Sequence, residues 1–377
     1  MRRAVLSGLT VLVGLIVTRP ATAGIYPTDE KVPFPVRADG TAEELTFGFD
    51  PVGRFNLLMD RLGDVGDINP NRKAPNPARA EVLARIARLK ADPGTAHDPG
   101  KLAGLAADLI RARQPDAAVN LLAPRSHDRV PDFRILATLA HAHAVRGEWG
   151  EAIRWHESAR LDAEFPAALP GATPGQRNWL HKVEFEHYRR WLQVHRQEAE
   201  RRVPPAAEEV FPLFPVRFVN DAGGYEPGKL AAAERAKLPP DAVAVVQQLL
   251  LWDRDDTRIF WLLGELYAAT GRLREAEIVF DQCASEARLY SNRKILMDHR
   301  AAVKRAVEAL PPPADAGASV AAGPAPPAKR EESVEDLGVN RQTLAAVGAG
   351  FAAVTLVMMV LQFRAVRRRL GGCGPGG

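Results

Sequence analysis

Chemistry-bearing side chains are densest at His181, Glu184, Glu186, His187 and His195. Imidazoles that titrate near neutral pH beside carboxylates are the types used for proton transfer and for metal binding. Spacing decides whether they can cooperate. His181, Glu184 and His187 stand three apart, and each step of three turns a helix by about 300°, spreading them over part of a face. A zinc-protease helix needs histidines at i and i+4 with a glutamate beside the first, and that spacing is absent. The pattern therefore predicts a solvated polar face. His141 and His143, two apart, point to different sides of a helix and cannot share a metal. Asp253, Asp255 and Asp256 resemble a fragment of a calcium loop, but no glycine or closing glutamate follows in register. They are expected to close one helix and to cap the next at Asp256 or Thr257. No haem-attachment, phosphate-loop, dinucleotide or nucleophile-elbow motif occurs. No catalytic residue, metal ligand or cofactor is implied.

The formal charge of +4 is carried by the two ends. Arg2, Arg3 and Arg19 open the chain and Arg364, Arg367, Arg368 and Arg369 close it; without these seven the body stands at −3. A mildly acidic body gives no electrostatic reason to hold a phosphate backbone, so no nucleic-acid partner is expected. Cys283 and Cys373 cannot supply a disulfide framework, which leaves stability to an apolar core. Cys283 falls in a helical segment and is read as a small buried hydrophobe.

Met1-Arg2-Arg3, an uncharged run from Ala4 to Val17, and small residues at Ala21 and Ala23 form a secretory signal-peptide pattern, with cleavage expected between Ala23 and Gly24. Fourteen such residues reach only about 21 Å as a helix, short of the roughly 30 Å hydrocarbon core. Gln342 to Phe363 carries no charge over 22 residues, long enough at about 33 Å to cross a bilayer. Glu331, Glu332, Glu335 and Asp336 precede it and the arginine cluster follows, so the positive-inside rule puts the C-terminus in the cytoplasm. Both ends then require the same topology. Ala346 with Gly350 is a small-xxx-small pair, a pattern common by chance.

Between the ends, hydrophobic spacing is helical and partly periodic. Leu263-Gly264, Tyr267, Gly271, Ala276 and Phe280 pair two helices: Gly264 and Ala276 allow close approach, Leu263, Tyr267 and Phe280 fill the crossing, and Gly271 ends the first helix. Leu139-Ala140, His143, Gly147, Ala152, His156 and Ala159 repeat these offsets, and Leu105-Ala106, Leu109, Ala118 and Leu122 stand 34 residues earlier. These units resemble the tetratricopeptide repeat, departing from its pattern where Phe260 opens the last unit, where Cys283 replaces a small alanine, and where His143 and His156 replace aromatics. The resemblance implies a stack of helical hairpins whose surface holds a protein or peptide partner. The stretch from Asp241 to Asp253 reads as a second helix whose first is missing or degenerate.

The expected order is a signal peptide over 1–23, an irregular segment over 24–78, tetratricopeptide-like hairpins over 79–170, an amphipathic helix and insertion over 171–240, further hairpins over 241–310, a Pro/Ala-rich linker over 311–341, a transmembrane helix over 342–363 and a basic cytoplasmic tail over 364–377. The fold class is all-α, a repeat solenoid. The leading functional expectation is a membrane-tethered, extracytoplasmic adaptor and not an enzyme. An accessory subunit for envelope biogenesis, secretion or a membrane enzyme is the alternative. An enzyme built on the helix from His181 to His195 requires those side chains to converge in one pocket.

Overall fold

A computed structural model describes residues 32–46, 77–169, 171–201, 210–253, 256–285 and 294–311. The chain separates into two units, Met1–Leu310 and Pro311–Gly377. The expected cleavage site at Ala23 and Gly24, the linker beyond its first residue and the span 342–363 lie outside the described residues. Among the described residues no helix is long and apolar enough to cross a membrane.

The described part of the first unit is helical, with a single isolated bridge between Val36 and Ala42 in place of any sheet. Helix α1 (Pro77–Ala91) packs on α2 (Pro99–Arg111), which is capped by Asp98 and opened by Pro99, a pre-organised first-turn residue. Asp108 is buried at this contact. The Arg85 guanidinium donates two bonds to it, at 3.0 and 2.6 Å, and Arg111 adds a third at 3.1 Å, so the buried carboxylate is fully paired. Helices α3 (Pro115–Leu122), α4 (Phe133–Val145) and α5 (Trp149–Leu161) follow, α2 pairing with α3 and α4 with α5.

A long helical stretch comes next: α6 (Pro174–Lys182), a π-helical turn (Val183–Tyr188) and α7 (Arg189–Arg201). Thr173 and Gln176 close its start as a reciprocal capping box. An insertion bearing the short α8 (Ala232–Arg235) leads to α9 (Ala242–Trp252), α10 (Thr257–Ala269), α11 (Leu273–Ser285) and α12 (Lys294–Glu308). Within this series α10 packs on α9, α11 on α10 and α12 on α11. The helix that meets α9 is not missing: α9 packs against the π-helical turn, and α7 in turn packs on α5. Residues 202–241 separate the two partners in sequence, which hides the pairing from a fixed-period reading.

Three helix–helix turns share one hydrogen-bond pattern. Arg113, Gly147 and Gly271 each donate to the carbonyl three residues back, and the next residue donates five back: Gln114 to Leu109, Glu148 to His143 and Arg272 to Tyr267, at 2.8 to 2.9 Å. This doubly bonded stop requires a left-handed residue at its corner. Gly147 and Gly271 supply it at φ 74° and 80°, whereas Arg113 adopts φ 60° with a full side chain. Ala118, Ala152 and Ala276 are completely buried at equivalent offsets, as are Leu139, Leu263, Tyr267 and Phe280. Cys283 is buried at the offset of Ala159. At Gly264 a Cβ would stand 2.9 Å from the Phe280 ring and 3.1 Å from Val279, so the crossing of α10 and α11 is closed to any side chain.

Candidate functional site: polar networks around the long helix

The long helix keeps a solvated polar face that includes His181 and Glu186, but Glu184 and His195 do not lie on it. Glu184 is completely buried, and its Oε1 lies 3.3 Å from His156 Nε2 of α5 and 3.7 Å from His141 Nε2 of α4. His156 Nε2 also lies 3.2 Å from the Glu184 carbonyl oxygen. The reason is local geometry. Val183 and Tyr188, five apart, would diverge by about 140° on a regular α-helix; the wider π-helical turn returns them to one side and carries Glu184 inward with them. Trp179, Val183, Tyr188, Trp191 and Leu192 are accordingly all buried.

Burial alone would raise the Glu184 carboxyl, but the hydrogen bonds and charges of His141 and His156 outweigh it and hold it at about 2. Burial pushes His141 down, with Glu184 pulling the other way. Glu184 and His141 are therefore coupled: the buried carboxylate favours the charged imidazole that burial of His141 opposes. His156 makes the shorter of the two contacts with the carboxylate. Tyr188 stacks on the His141 ring at 3.9 Å, and burial, with the charge of Glu184, raises its phenol well above the usual range.

His195 belongs to another network. Its Nε2 lies 2.9 Å from Asp256 Oδ2, which also accepts the Trp191 indole N–H at 2.8 Å. The other carboxylate oxygen of Asp256 caps α10, accepting from the Arg258 and Ile259 amides at 3.0 and 3.3 Å. Burial would raise Asp256, but His195 and these donors hold it below its ordinary value. Glu198 completes the contact through two oxygens at 2.7 and 2.8 Å from Arg258. Another buried carboxylate, Asp241, accepts the Trp179 indole at 3.1 Å, with Lys182 at 3.4 Å.

The expected candidates therefore scatter. His181 is exposed beside Phe165 and Phe185, Glu186 is exposed, His187 edges onto Phe214, Glu184 goes inward and His195 goes to Asp256. His141 and His143 also separate, His143 bonding Glu148 at 2.6 Å. The buried carboxylates Glu184, Asp241 and Asp256 each join one helical element to another, and among the described residues no group of three or more such side chains is arranged to hold a metal ion.

A different feature escaped the sequence reading altogether. Gln247, one of two adjacent glutamines in an apolar α9, is fully buried and holds the main chain of Leu45, 202 residues away. Its Oε1 accepts the Leu45 N–H and its Nε2 donates to the Leu45 carbonyl, both at 2.8 Å, while Nε2 also reaches the Tyr267 hydroxyl at 2.9 Å. Gln176 Nε2 donates to the carbonyls of Val32 and Phe34 at 3.2 and 2.8 Å, and Phe34 packs on Trp179 with centroids 4.9 Å apart. Arg272 pairs with Glu44. A stretch read only as irregular, residues 32–46, is thus fastened to α6, α9 and the α10–α11 turn. The available signal was the Gln247-Gln248 pair interrupting an apolar helix, since a carboxamide is placed in a core only where it has partners. No protein-family model matches the chain, and no curated protein matches it.

Proposed function

We propose that this protein is a membrane-anchored scaffold whose helical hairpins form a tetratricopeptide-like array on the extracytoplasmic side and hold a protein or peptide partner. The observation that carries the reading is the equivalence of the three turns at Arg113, Gly147 and Gly271, each with the same pair of backbone bonds and the same buried alanine in the following helix. Helical pairs built to one pattern and stacked on one another are the architecture of proteins that bind along an extended surface. Export and anchoring rest on the sequence patterns ending at Ala23 and spanning 342–363.

The test is affinity capture of the full-length protein from detergent-solubilised membranes, with mass spectrometry of the co-purifying chains and of the bait's own N-terminus. A stoichiometric partner on a bait that begins at Gly24 supports the scaffold. A bait that begins at Met1 and carries no partner overturns both the topology and the role.

A further inference from the structure

We propose that the seat formed by Gln176, Trp179, Gln247, Tyr267 and Arg272 is a receptor site for a turned-back peptide carrying an aromatic anchor on one limb and an acidic–aliphatic pair on the other, and that residues 32–46 occupy it in cis. This deepens the scaffold reading and rests on it.

Gln247 reads main chain rather than side chain. Its carboxamide meets Leu45 as one strand meets another, donor to acceptor and acceptor to donor, a geometry that any extended residue satisfies. In an apolar helix this carboxamide is a burden unless main chain is present: with the seat empty its oxygen loses a partner in the core. Gln176 repeats the device at the other limb, gripping the Val32 and Phe34 carbonyls.

Selectivity comes from three positions. Phe34 is completely buried against Trp179, Leu45 is buried beside Gln247, and Glu44 meets the Arg272 guanidinium, which lies 4.5 Å over the Tyr267 ring. The Arg272 backbone is fixed by its bond to the Tyr267 carbonyl, so its charge is presented from a rigid turn. Between the limbs, the occupant folds on itself. Gly40 at φ 83° and the Asp39 carboxylate, accepting from the Thr41 amide and hydroxyl, make a tight corner that contributes nothing to the seat. The seat also has contacts of its own besides those to its occupant: Trp179 is bonded to Asp241, and α10 packs on both α9 and α11.

The experiment uses the full-length protein in detergent, with a site-specific protease sequence inserted among residues 50–70 so that the N-terminal segment can be released after folding. After cleavage, a fluorescein-labelled peptide of residues 31–46 is added in excess and followed by anisotropy, while circular dichroism tracks the helices. The expected result is saturable exchange of the labelled peptide into the seat with the helical signal unchanged. Arg272→Glu should weaken that binding at least tenfold, and a peptide with Glu44→Lys should restore it; a peptide with Leu45→Asp should not bind. A cleaved segment that never exchanges, or helices that melt when it leaves, would make residues 32–46 an ordinary part of the core and overturn the proposal. Binding that ignores the Arg272 and Glu44 charge swap would overturn the stated selectivity. Loss of the seat with retention of the captured membrane partner would leave the scaffold reading standing without it.

Discussion

The α10–α11 hairpin and the long helical stretch from Pro174 to Arg201 solve the same packing problem in opposite ways. The hairpin removes side chains: Gly264 and Ala276 let two helices touch, and the gap left for a Cβ at Gly264 is smaller than a carbon requires. The long stretch adds them. Trp179, Tyr188 and Trp191 fill its buried side, and the two indole N–H groups are satisfied by buried carboxylates, Asp241 for Trp179 and Asp256 for Trp191. A close-packed crossing tolerates no enlargement, whereas an aromatic and ionic one tolerates neither loss of volume nor loss of a partner.

The largest effect should come from removing volume at the aromatic contact. Trp191→Ala deletes a buried ring stacked on Tyr188 and strips Asp256 of its indole donor, and is expected to cost about 3–5 kcal/mol in chemical denaturation. The converse change, Gly264→Leu, is expected to cost about 1–3 kcal/mol by overpacking against Phe280 and Val279. An unchanged melting temperature for it would show that the two regions do not differ as described.

Glu184→Gln separates charge from shape. The glutamine keeps the volume but ends the ionic pairing, at an expected cost of about 1–2 kcal/mol near neutral pH, since burial already favours the neutral form of His141. The pH profile is the sharper readout. Glu184 is held at about 2, below its ordinary 4.5, so its contribution is present above pH 4.5 and is lost as the pH falls towards 2. His141 is held below its ordinary 6.5, so protonation of the unfolded chain destabilises the native state from pH 6.5 downwards. Both act in one direction, and acid should destabilise the wild type. In Glu184→Gln the limb between pH 4.5 and 2 should flatten, while the limb below 6.5 should deepen because burial acts on His141 unopposed. Urea midpoints across pH 3–8 would detect either change.

The smallest effect, and the only gain, is expected at Arg113→Gly. The left-handed corner costs a non-glycine residue about 1–2 kcal/mol, and the greater freedom of glycine in the unfolded chain returns part of this, leaving a stabilisation of at most about 1 kcal/mol. A thermal melt that falls instead would show that the Arg113 side chain contributes more than its backbone strain removes.

These contrasts explain what could be read from the sequence. The helical class was legible because apolar residues recur at helical spacing, and the turn corners because glycine announces a left-handed residue. Arg113 announced nothing, although it stands 34 residues before Gly147 in the same turn. Asp256 was legible as a cap through its position between two helices. Glu184 was not: a period of 3.6 puts it outside, and only the π-helical turn brings it in. The pairing of the long stretch with α9 was hidden by the insertion between them. The fastening of residues 32–46 was hidden for a simpler reason, that main-chain hydrogen bonds to distant glutamines leave no periodic trace.

The most direct test of the account is amide hydrogen exchange on the full-length protein, read at Leu45. Its N–H donates to Gln247 Oε1 inside the core, so it should exchange far more slowly than an unstructured chain. Gln247→Ala should release it while leaving the amides of α9, α10 and α11 protected. Exchange of Leu45 at the unstructured rate in the wild type would contradict the fastened segment, and loss of protection throughout α9–α11 in the variant would contradict a seat that stands without its occupant.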